Sequence, residues 1–459
     1  MTHNNGNQRV GDHAIVLGAS LAGLATAATL AGRFDRVTII ERDTLPAIGQ
    51  QRRGVPQGRH AHLLLPAGFQ ALTTVVPGFE ADLRARGGHV IPSDEFRFYL
   101  NGVRLALQTD ELAICGATRP LLEGVVREQV RSVPNVEFRE GTEVIELVAT
   151  RDGSQVTGVR VRNGQASEVL DAALVADMTG RGSRTPHWLA ELGYPEVGED
   201  RMDVAVRYTT RLFRRNTADL DGCRHVVIAA KPGERRAGLI LAVEDGRWLV
   251  TMVGLNGQRP PTDLPGFVDY AGSLPQNELH EVVSRAMPIG DAATGTFGSY
   301  LRQRYDRMAK LPAGFVVSGD AVCSFNPVYA QGMSVAFVAA QVLGEVLDQH
   351  GMDRVGRRLL RRTKALVDGA WALATGGDLV DPAVDGPRPL SWRLINGYLD
   401  RLVPIAHHDP VVAEAVFRVN ALLDPPQRLM RPSIAARVLT RLRGHAELAT
   451  TDDDPAPVH

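Results

Sequence analysis

The stretch HAIVLGASLAGLATAATLAGRFDRVTIIERD, residues 13–43, predicts a strand, a tight turn, a helix and a second strand. The run AIVLG is short and apolar and ends at Gly18. The following LAGLATAATLAG is rich in small residues, which let a helix lie close to a sheet. The run RVTIIE is a second apolar strand that ends at Glu41. This order indicates a βαβ unit, in which a helix connects two parallel strands.

The glycine spacing of this unit predicts a site for a nucleotide. Gly18 would make the tight turn, and Gly23 would let the helix pack on the strand. The helix start at Leu21 and Ala22 would offer unpaired N–H groups and a partial positive charge to a pyrophosphate. Glu41 would accept hydrogen bonds from ribose hydroxyls, which favours FAD or NAD over a 2′-phosphorylated nucleotide. The alternative is a small-residue contact between helix and sheet that binds nothing.

Two positions qualify this fingerprint. The middle glycine is replaced by Ser20, so the motif is GxSxxG. A side chain there would crowd the pyrophosphate unless its hydroxyl binds a phosphate oxygen, and the second interpretation is the one we adopt. Arg42 follows Glu41 directly and is assigned to the same nucleotide site.

The composition excludes several classes of protein. The 459 residues carry 51 Lys and Arg against 52 Asp and Glu, a formal net charge of −1, which argues against a general nucleic-acid binder. The three cysteines are far apart and form no CxxC, so we expect neither a disulfide framework nor a metal site. No signal-peptide pattern and no apolar run of 18 residues is visible, so we expect a cytoplasmic protein without a membrane span.

The segment RRGVPQGRHAH, residues 52–62, concentrates positive charge just after the second strand. Arg53 or Arg59 could pair bidentately with a phosphate. His60 and His62 could line a cofactor edge or steer a nicotinamide donor. A metal is disfavoured because no carboxylate or third histidine lies nearby in the sequence. A solvated basic loop is the remaining alternative, and we interpret the segment as binding phosphate.

A second strand–loop–helix pattern lies far downstream, in GFVVSGDA (314–321) and NPVYAQGM (326–333). It resembles the GD motif of the group A flavoprotein monooxygenases, the relatives of para-hydroxybenzoate hydroxylase. The resemblance implies that Asp320 binds the ribityl chain of FAD and that Pro327 lies beside the isoalloxazine. It also implies that the backbone of Gly332 and Met333 faces the flavin N1–O2 edge, where a helix N-terminus would stabilise negative charge.

Three further segments resemble the same family. ALVADMTGRGS (173–183) resembles its DG motif, with Asp177 and Gly180 at the cofactor. ATRPLLEGVVREQV (117–130) resembles the helix with a flavin-contacting arginine, here Arg119. FREGTEVIELV (138–148) resembles the strand whose backbone, near Val144, contacts the adenine. The resemblance covers residues 10–350 and implies an FAD-binding protein.

The family resemblance implies a monooxygenase. In that chemistry NAD(P)H reduces the flavin, directly or through a separate reductase, and O2 adds at C4a. The resulting hydroperoxide passes one oxygen atom to a substrate. A halogenase is disfavoured because no lysine precedes Lys231 and the W-x-W-x-I-P signature is absent. We find no aromatic substrate motif of the geranylgeranyl-reductase type.

The segments GVPQGRHAHLLLPAG (54–68) and GDAVCSFNPVYAQGM (319–333) are most similar to the branch with flavin-dependent epoxidases of polyether polyketide biosynthesis. The substrate would then be a hydrophobic polyene. Hydroxylation of an aromatic or polyketide substrate is the alternative, and a flavin-binding sensor without enzymatic activity is a third hypothesis. No catalytic side chain is predicted.

We expect an α/β fold with a Rossmann-like FAD-binding domain of the glutathione-reductase type, an inserted β-sheet substrate domain and a helical C-terminal region. The expected ranges are 10–88, 111–195 and 300–350 for the FAD domain, 89–110 and 196–299 for the substrate domain, 351–447 for the helices and 448–459 for a disordered tail. Five strand aromatics are candidates for the pocket lining, although such residues are more often core: Phe96, Phe98, Tyr208, Phe213 and Trp248. Asp245-Gly246 predicts a hairpin turn.

Overall fold

The computed structural model describes residues 9–108, 112–231 and 233–440 of the chain. The predicted disordered tail, 448–459, lies outside these ranges. Within them no helix is long and apolar enough to cross a lipid bilayer. The three cysteines are buried and unpaired.

Strands and helices alternate in the first half of the chain, and helices alone form its last part. The strands are β1 (Gly11–Leu17), β2 (Phe34–Ile40), β3 (His89–Pro92), β4 (Phe96–Leu100), β5 (Val103–Arg104), β6 (Ala113–Gly116), β7 (Val136–Arg139), β8 (Glu143–Ala149), β9 (Val156–Asn163), β10 (Ala166–Asp171), β11 (Leu174–Asp177), β12 (Glu199–Arg214), β13 (His225–Ile228), β14 (Arg236–Val243), β15 (Arg247–Leu255), β16 (Pro288–Gln303), β17 (Phe315–Val317) and β18 (Cys323–Ser324). The α-helices are α1 (Leu21–Ala31), α2 (Pro66–Val75), α3 (Phe79–Ala85), α4 (Arg119–Arg131), α5 (Thr185–Glu191), α6 (Leu264–Gly272), α7 (Glu278–Val283), α8 (Gln331–His350), α9 (Val355–Asp378), α10 (Leu390–Ile405) and α11 (Pro410–Asn420).

A five-stranded parallel sheet, in the order β17-β11-β1-β2-β7, forms the first layer of the fold. Its central strands are continuous apolar runs because both faces of the sheet are covered. Helices α1, α4 and α8 share one hydrophobic core with this sheet. The antiparallel strands β8, β9 and β10 and helix α5 pack with side chains from the other face. The predicted βαβ unit is therefore β1–α1–β2.

A second sheet has eight strands in the order β18-β16-β12-β15-β14-β13-β4-β5. Its strands come mainly from 96–104 and 199–303, and most pairs are antiparallel. The predicted hairpin turn between β14 and β15 is present, with positive φ at Asp245 and Gly246, +60° and +61°. The mixed α/β class, with its parallel sheet and C-terminal helices, is confirmed.

Two of the five aromatic pocket candidates prove to be core residues. Phe213 and Trp248 pair across β12 and β15, and both are fully buried beneath α6 and α7. The sequence pattern did not reveal α6 and α7, which cover this face of the sheet. Because helices cover that face, neither side chain can line a substrate pocket, and the prediction is wrong for both.

The other three aromatic candidates lie elsewhere on the sheet. Phe96 and Phe98 of β4 pack against Phe417 of α11, with ring centroids 5.1 and 6.1 Å apart. These two rings therefore join the sheet to the C-terminal helices. Tyr208 of β12 is half-buried, and its ring meets that of His60 edge-on at 4.5 Å. Of the five, Tyr208 alone lies beside a residue predicted to contact the cofactor.

The C-terminal helices begin and end with recognisable signals. Asp409 caps α11 by accepting hydrogen bonds from the backbone N–H groups of Val411 and Val412, and Pro410 occupies the first turn. Helix α11 buries its apolar face on the eight-stranded sheet. The C-terminal region thus shares a hydrophobic core with the sheet that was predicted to bind substrate.

Candidate functional site

The turn between β1 and α1 requires its two glycines. Gly18 has φ +94°, and a Cβ there would lie 2.9 Å from the carbonyl oxygen of Met178. A Cβ at Gly23 would overlap the carbonyl oxygen of Gly18. The Ser20 side chain makes no capping hydrogen bond to α1, so the backbone N–H groups at the start of this helix are free of a side-chain cap. The turn thus has the close backbone approach that the fingerprint predicts.

Glu41 follows β2 and is buried, with 6% of its surface exposed. Its carboxylate accepts hydrogen bonds from the N–H of Ala19, at 2.8 Å, and of Asp43, at 3.0 Å. It also forms an ion pair with Arg52, with Nη2 and Oε2 2.7 Å apart. Glu41 therefore lies at the end of β2 as predicted, and it connects the turns that follow β1 and β2.

The buried arginine of the basic segment is Arg52, a residue that the sequence analysis did not select. Its guanidinium pairs with Glu41, with Asp43 at 3.3 Å and with Glu123 at 2.9 Å, and donates to the carbonyl oxygen of Ala19 at 3.0 Å. Burial acts to lower the pKa of Arg52, but Glu41 and Glu123 outweigh it and raise that pKa. Arg52 is therefore a permanently charged centre.

The two arginines that were predicted to bind phosphate, Arg53 and Arg59, are exposed. Arg53 lines an open cleft of about 580 Å³ at the edge of the parallel sheet, together with Arg42 and Arg162. Arg59 ends a short 3₁₀ helix that begins at Pro56. The basic segment therefore divides its charge between one buried arginine and two exposed ones.

Ser20, Arg119 and Glu123 form a polar cluster between α1 and α4. Arg119 donates to the Ser20 hydroxyl oxygen at 2.9 Å, and that hydroxyl donates to Glu123 at 3.1 Å. Arg119 also pairs with Glu123, one turn further along α4, at 3.3 Å. The Ser20 hydroxyl thus contacts Glu123 and Arg119. It was predicted to bind a phosphate oxygen. Glu123 was missed, although its i+4 spacing from Arg119 was a usable signal.

The second motif places Asp320 in a turn directly after β17. Among the described residues its carboxylate has no hydrogen-bond partner. Burial raises the pKa of Asp320, while the charges of Arg119 and Arg181 act to lower it. A Cβ at Gly332 would lie 3.4 Å from Asp320 Oδ1, so the first turn of α8 approaches this carboxylate closely. The Asp320 side chain is also exposed, so this carboxylate beside a helix start and two arginines is accessible to a polar ligand.

Two buried polar side chains in the first turn of α8 lack partners within the described residues. Both amide atoms of Gln331 and the hydroxyl of Ser334, in the first turn of α8, make no hydrogen bond. Gln331 is 1% exposed. Buried polar groups without partners are costly, and a bound ligand is one way to satisfy them. Pro327 lies in the loop just before this helix, and Gly332 and Met333 lie in its first turn.

The third motif is adjacent, and its acid, Asp177, holds the loop that follows it. Asp177 is fully buried, and its carboxylate accepts hydrogen bonds from Thr179, Ser183 and Thr185 of the loop that follows it. These contacts fix the turn at Gly180, whose φ is +80°. A Cβ at Gly180 would lie 3.9 Å from the Cβ of Asp320. Asp177 therefore shapes the loop, and its assignment to the cofactor site stays a prediction.

Three further residues were predicted to contact the cofactor: Val144, His60 and His62. Val144 is half-buried on β8 and packs with side chains from the parallel sheet. His60 is buried, and its Nδ1 lies 2.9 Å from the Thr210 hydroxyl. Burial lowers the pKa of His60 to about 4 and that of His62 to about 3. Both imidazoles are therefore neutral near pH 7. The described residues contain no group of three metal-binding side chains.

Taken together, the motifs form one continuous path. Glu41 pairs with Arg52, Arg52 with Glu123, and Glu123 with Arg119 and Ser20. The charge of Arg119 acts in turn on Asp320. Two carboxylates, those of Glu41 and Asp320, thus lie at the two ends of the path, and the N-terminus of α1 lies beside its middle. This arrangement suits an elongated ligand with hydroxyl groups near both ends and phosphates between them.

We expect Arg52→Met to lower the free energy of unfolding by about 3–5 kcal/mol, because it leaves the buried carboxylates of Glu41 and Glu123 without their counter-charge. The measurement is urea unfolding near neutral pH. Arg53→Met is the matched control, since the neighbouring arginine is exposed, and it should stay within about 0.5 kcal/mol of wild type. Equal effects from the two substitutions would contradict the assignment of Arg52 as the structural arginine.

We also expect His60 to make stability depend on pH. Its folded pKa of about 4 lies below its ordinary value of 6.5, so between these values the unfolded chain binds a proton that the folded chain does not. The free energy of unfolding should therefore fall as the pH decreases, by about 2 kcal/mol from this residue between about pH 7.5 and about pH 5. Urea unfolding at both pH values would check this, and His60→Gln should show the smaller loss.

No family model matches the sequence. Protein Rv3254 of Mycobacterium tuberculosis (strain ATCC 25618 / H37Rv) is 32% identical over 440 residues, which cover 92% of this chain and 92% of that protein. Among solved structures, pqsL, a probable FAD-dependent monooxygenase from Pseudomonas aeruginosa, superposes with a TM-score of 0.62 at 17% identity, covering 81% of this chain and 97% of that chain. The flavin-dependent brominase Bmp2 superposes with a TM-score of 0.65 at 14% identity, covering 95% and 99%. The chain therefore belongs to the family of Protein Rv3254, and its fold is the one found in these flavin-dependent enzymes.

Proposed function

We propose that the protein is an FAD-dependent monooxygenase. The observation that carries this proposal is the Asp320 carboxylate, which has no hydrogen-bond partner among the described residues and lies beside the first turn of α8. In the same turn of α8, the amide of Gln331 and the hydroxyl of Ser334 are buried and lack partners among the described residues as well. These orphaned groups fit a polar ligand better than a closed core. FAD, when bound and reduced, would activate O2 and supply one oxygen atom to the substrate.

The residues present would hold FAD at several points along its length. Glu41 would accept hydrogen bonds from the adenosine ribose, with Arg52 fixing its carboxylate. The uncapped start of α1 would bind the pyrophosphate, with Arg119 as the adjacent cation. Asp320 would accept hydrogen bonds from the ribityl hydroxyls. The loop at Pro327 and the first turn of α8 would then lie at the flavin ring.

We further propose that the substrate is a hydrophobic alkene-bearing polyketide and that the reaction is an epoxidation. A phenol substrate would require a side chain that takes up its proton, whereas an alkene requires none. The pKa values of His60 and His62, about 4 and about 3, make both weak bases. Burial also raises the pKa of Tyr208, so this phenol stays protonated. These two histidines, which were predicted to line a cofactor edge, thus fit a reaction without a general base.

Hydroxylation of an aromatic substrate is the second candidate, and one observation favours it. The His60 and Tyr208 rings meet edge-on at 4.5 Å, and such a pair could bind a phenol hydroxyl. Halogenation is disfavoured even though Bmp2 shares the fold. Lys231 and Lys364 pair with Glu234 and Asp368 at the surface, and no lysine precedes Lys231 in the chain.

Flavin binding is the first test of this proposal. Titration of the apoprotein with FAD, followed by the visible spectrum, should show tight binding by wild type. Asp320→Ala should bind FAD at least about tenfold more weakly, because the hydrogen bonds of a charged group to the ligand are lost. The control is Asp348→Ala, which removes an exposed carboxylate paired with Arg33. Wild-type affinity in Asp320→Ala would contradict the assignment of Asp320.

The reaction itself requires a second experiment. Anaerobic addition of NADPH to the FAD-loaded protein should bleach the visible flavin bands if the protein accepts electrons directly. Persistent yellow colour would indicate that substrate or a separate reductase is needed. Polyenes and phenols would then be compared by substrate-dependent oxygen consumption and by the mass of the product. A gain of one oxygen with polyenes supports epoxidation, whereas turnover of phenols alone supports hydroxylation. A flavin-loaded protein that turns over neither would point to a sensor.

A further inference from the structure

The last residue of α9, Asp378, lies at the meeting point of three parts of the fold. Its carboxylate accepts hydrogen bonds from Tyr300 of β16 at 2.6 Å, from the Asn326 amide at 2.9 Å and from the Tyr329 hydroxyl at 2.9 Å. Asn326 and Tyr329 flank Pro327 in the loop before α8. The carboxylate therefore fastens the C-terminal region to that loop and to the eight-stranded sheet.

The end of α9 is shaped for this contact. A Cβ at Gly377 would overlap the hydroxyl of Tyr329, so only glycine lets the ring approach the helix end. One residue earlier, the carbonyl oxygen of Gly376 accepts a hydrogen bond from the Trp392 indole at 3.2 Å. The segment Gly376–Asp378 therefore contacts α10 on one side and the loop before α8 on the other.

The surroundings of the Asp378 carboxylate require a group that only accepts hydrogen bonds. Within the described residues no arginine or lysine forms an ion pair with Asp378, and its three donors are neutral. Burial raises the pKa of Asp378, whereas the hydrogen bonds from Tyr300, Asn326 and Tyr329 act to lower it. An amide at this position would keep only one acceptor oxygen. Its NH2 group, which is a donor, would then face the hydroxyl and amide groups that donate hydrogen bonds to Asp378. The contact therefore requires a carboxylate.

The contact also fixes the backbone on both sides of Pro327. Asn326 is fully buried, and while its Nδ2 donates to Asp378, its Oδ1 accepts a hydrogen bond from the N–H of Val328 at 3.1 Å. Tyr329 is held two residues later. Ala330 then adopts a left-handed conformation, with φ +54°, and leads into α8. The placement of the first turn of α8, which lies beside Asp320, thus depends on where Asp378 holds this loop.

We propose that Asp378 is a positioning residue for the loop of residues 326–330, the flavin loop. Through this residue the C-terminal helices would set the geometry of the cofactor site. This inference rests on the proposed function, because that proposal places the loop at Pro327 beside the flavin ring. Asp378 does not touch the cofactor and acts through Asn326 and Tyr329. The substitution of Asp378 should therefore change how FAD is bound as well as how stable the protein is.

The experiment compares three variants of the full chain. Asp378→Asn removes the carboxylate, and Tyr329→Phe removes one donor from the loop side while leaving Asp378 in place. The matched control is Asp381→Asn, three residues further on, which removes a carboxylate that pairs with Arg235 at 2.7 Å and does not contact the loop. FAD affinity and the visible absorbance and circular dichroism of bound flavin are measured for each. Hydrogen–deuterium exchange of residues 323–334 in the apoprotein is the second readout.

We expect Asp378→Asn and Tyr329→Phe to bind FAD about tenfold more weakly and with an altered flavin spectrum. We also expect both to show faster exchange in 323–334, with Asp381→Asn like wild type in every readout. If wild type binds FAD but the first two variants have its affinity, spectrum and exchange, the inference is overturned and the proposed function stands. Equal losses in Asp381→Asn would also overturn it, since the effect would then be general destabilisation. Absence of FAD binding by wild type would overturn both proposals. If Asp378→Asn does not fold, Tyr329→Phe alone decides.

Discussion

The βαβ unit of the fold depends on the ion pairs and hydrogen bond made by the buried guanidinium of Arg52. This guanidinium contacts Glu41 after β2, Asp43 in the following turn and Glu123 on α4, and it reaches the carbonyl oxygen of Ala19 in the first turn. Transfer of such a charge from water is expensive, and only several well-placed opposite charges offset that cost. Four connections from one side chain therefore lock the βαβ unit to the helix that carries Arg119.

The sequence predicted the βαβ unit well because the signals there are local. Gly18 is required by its own positive φ and Gly23 by its contact with the Gly18 carbonyl oxygen, and both requirements arise within a few residues of the chain. Glu41 follows from the length of one strand–helix–strand unit. The identity of the buried arginine was not predictable. Arg52, Arg53 and Arg59 lie in an irregular loop and a 3₁₀ turn, where no periodicity tells which side chain points inwards.

The errors in the predicted substrate pocket have a similar origin. The pocket list included both Tyr208 and Phe213, which lie five residues apart on β12. Alternation puts such a pair on opposite faces of the sheet, because successive side chains point to opposite faces. It does not tell which face another element covers. Helices α6 and α7 bury the face with Phe213, and α11 packs on Phe96. Such covering contacts depend on the tertiary fold, so strand patterns could not have chosen between core and pocket.

The contacts of Asp378 in the C-terminal region were also not predictable from the sequence. Its partners Tyr329, Asn326 and Tyr300 are separated from it by 49, 52 and 78 residues, and no local motif marks any of the three pairs. The two ends of the candidate site, Glu41 and Asp320, directly follow strands of the parallel sheet. The loop between β18 and α8 has no strand of its own to hold it, and short loops without neighbours are mobile. A carboxylate from a distant helix supplies that missing support, which is the physical basis for our proposal that the C-terminal helices influence the candidate cofactor site.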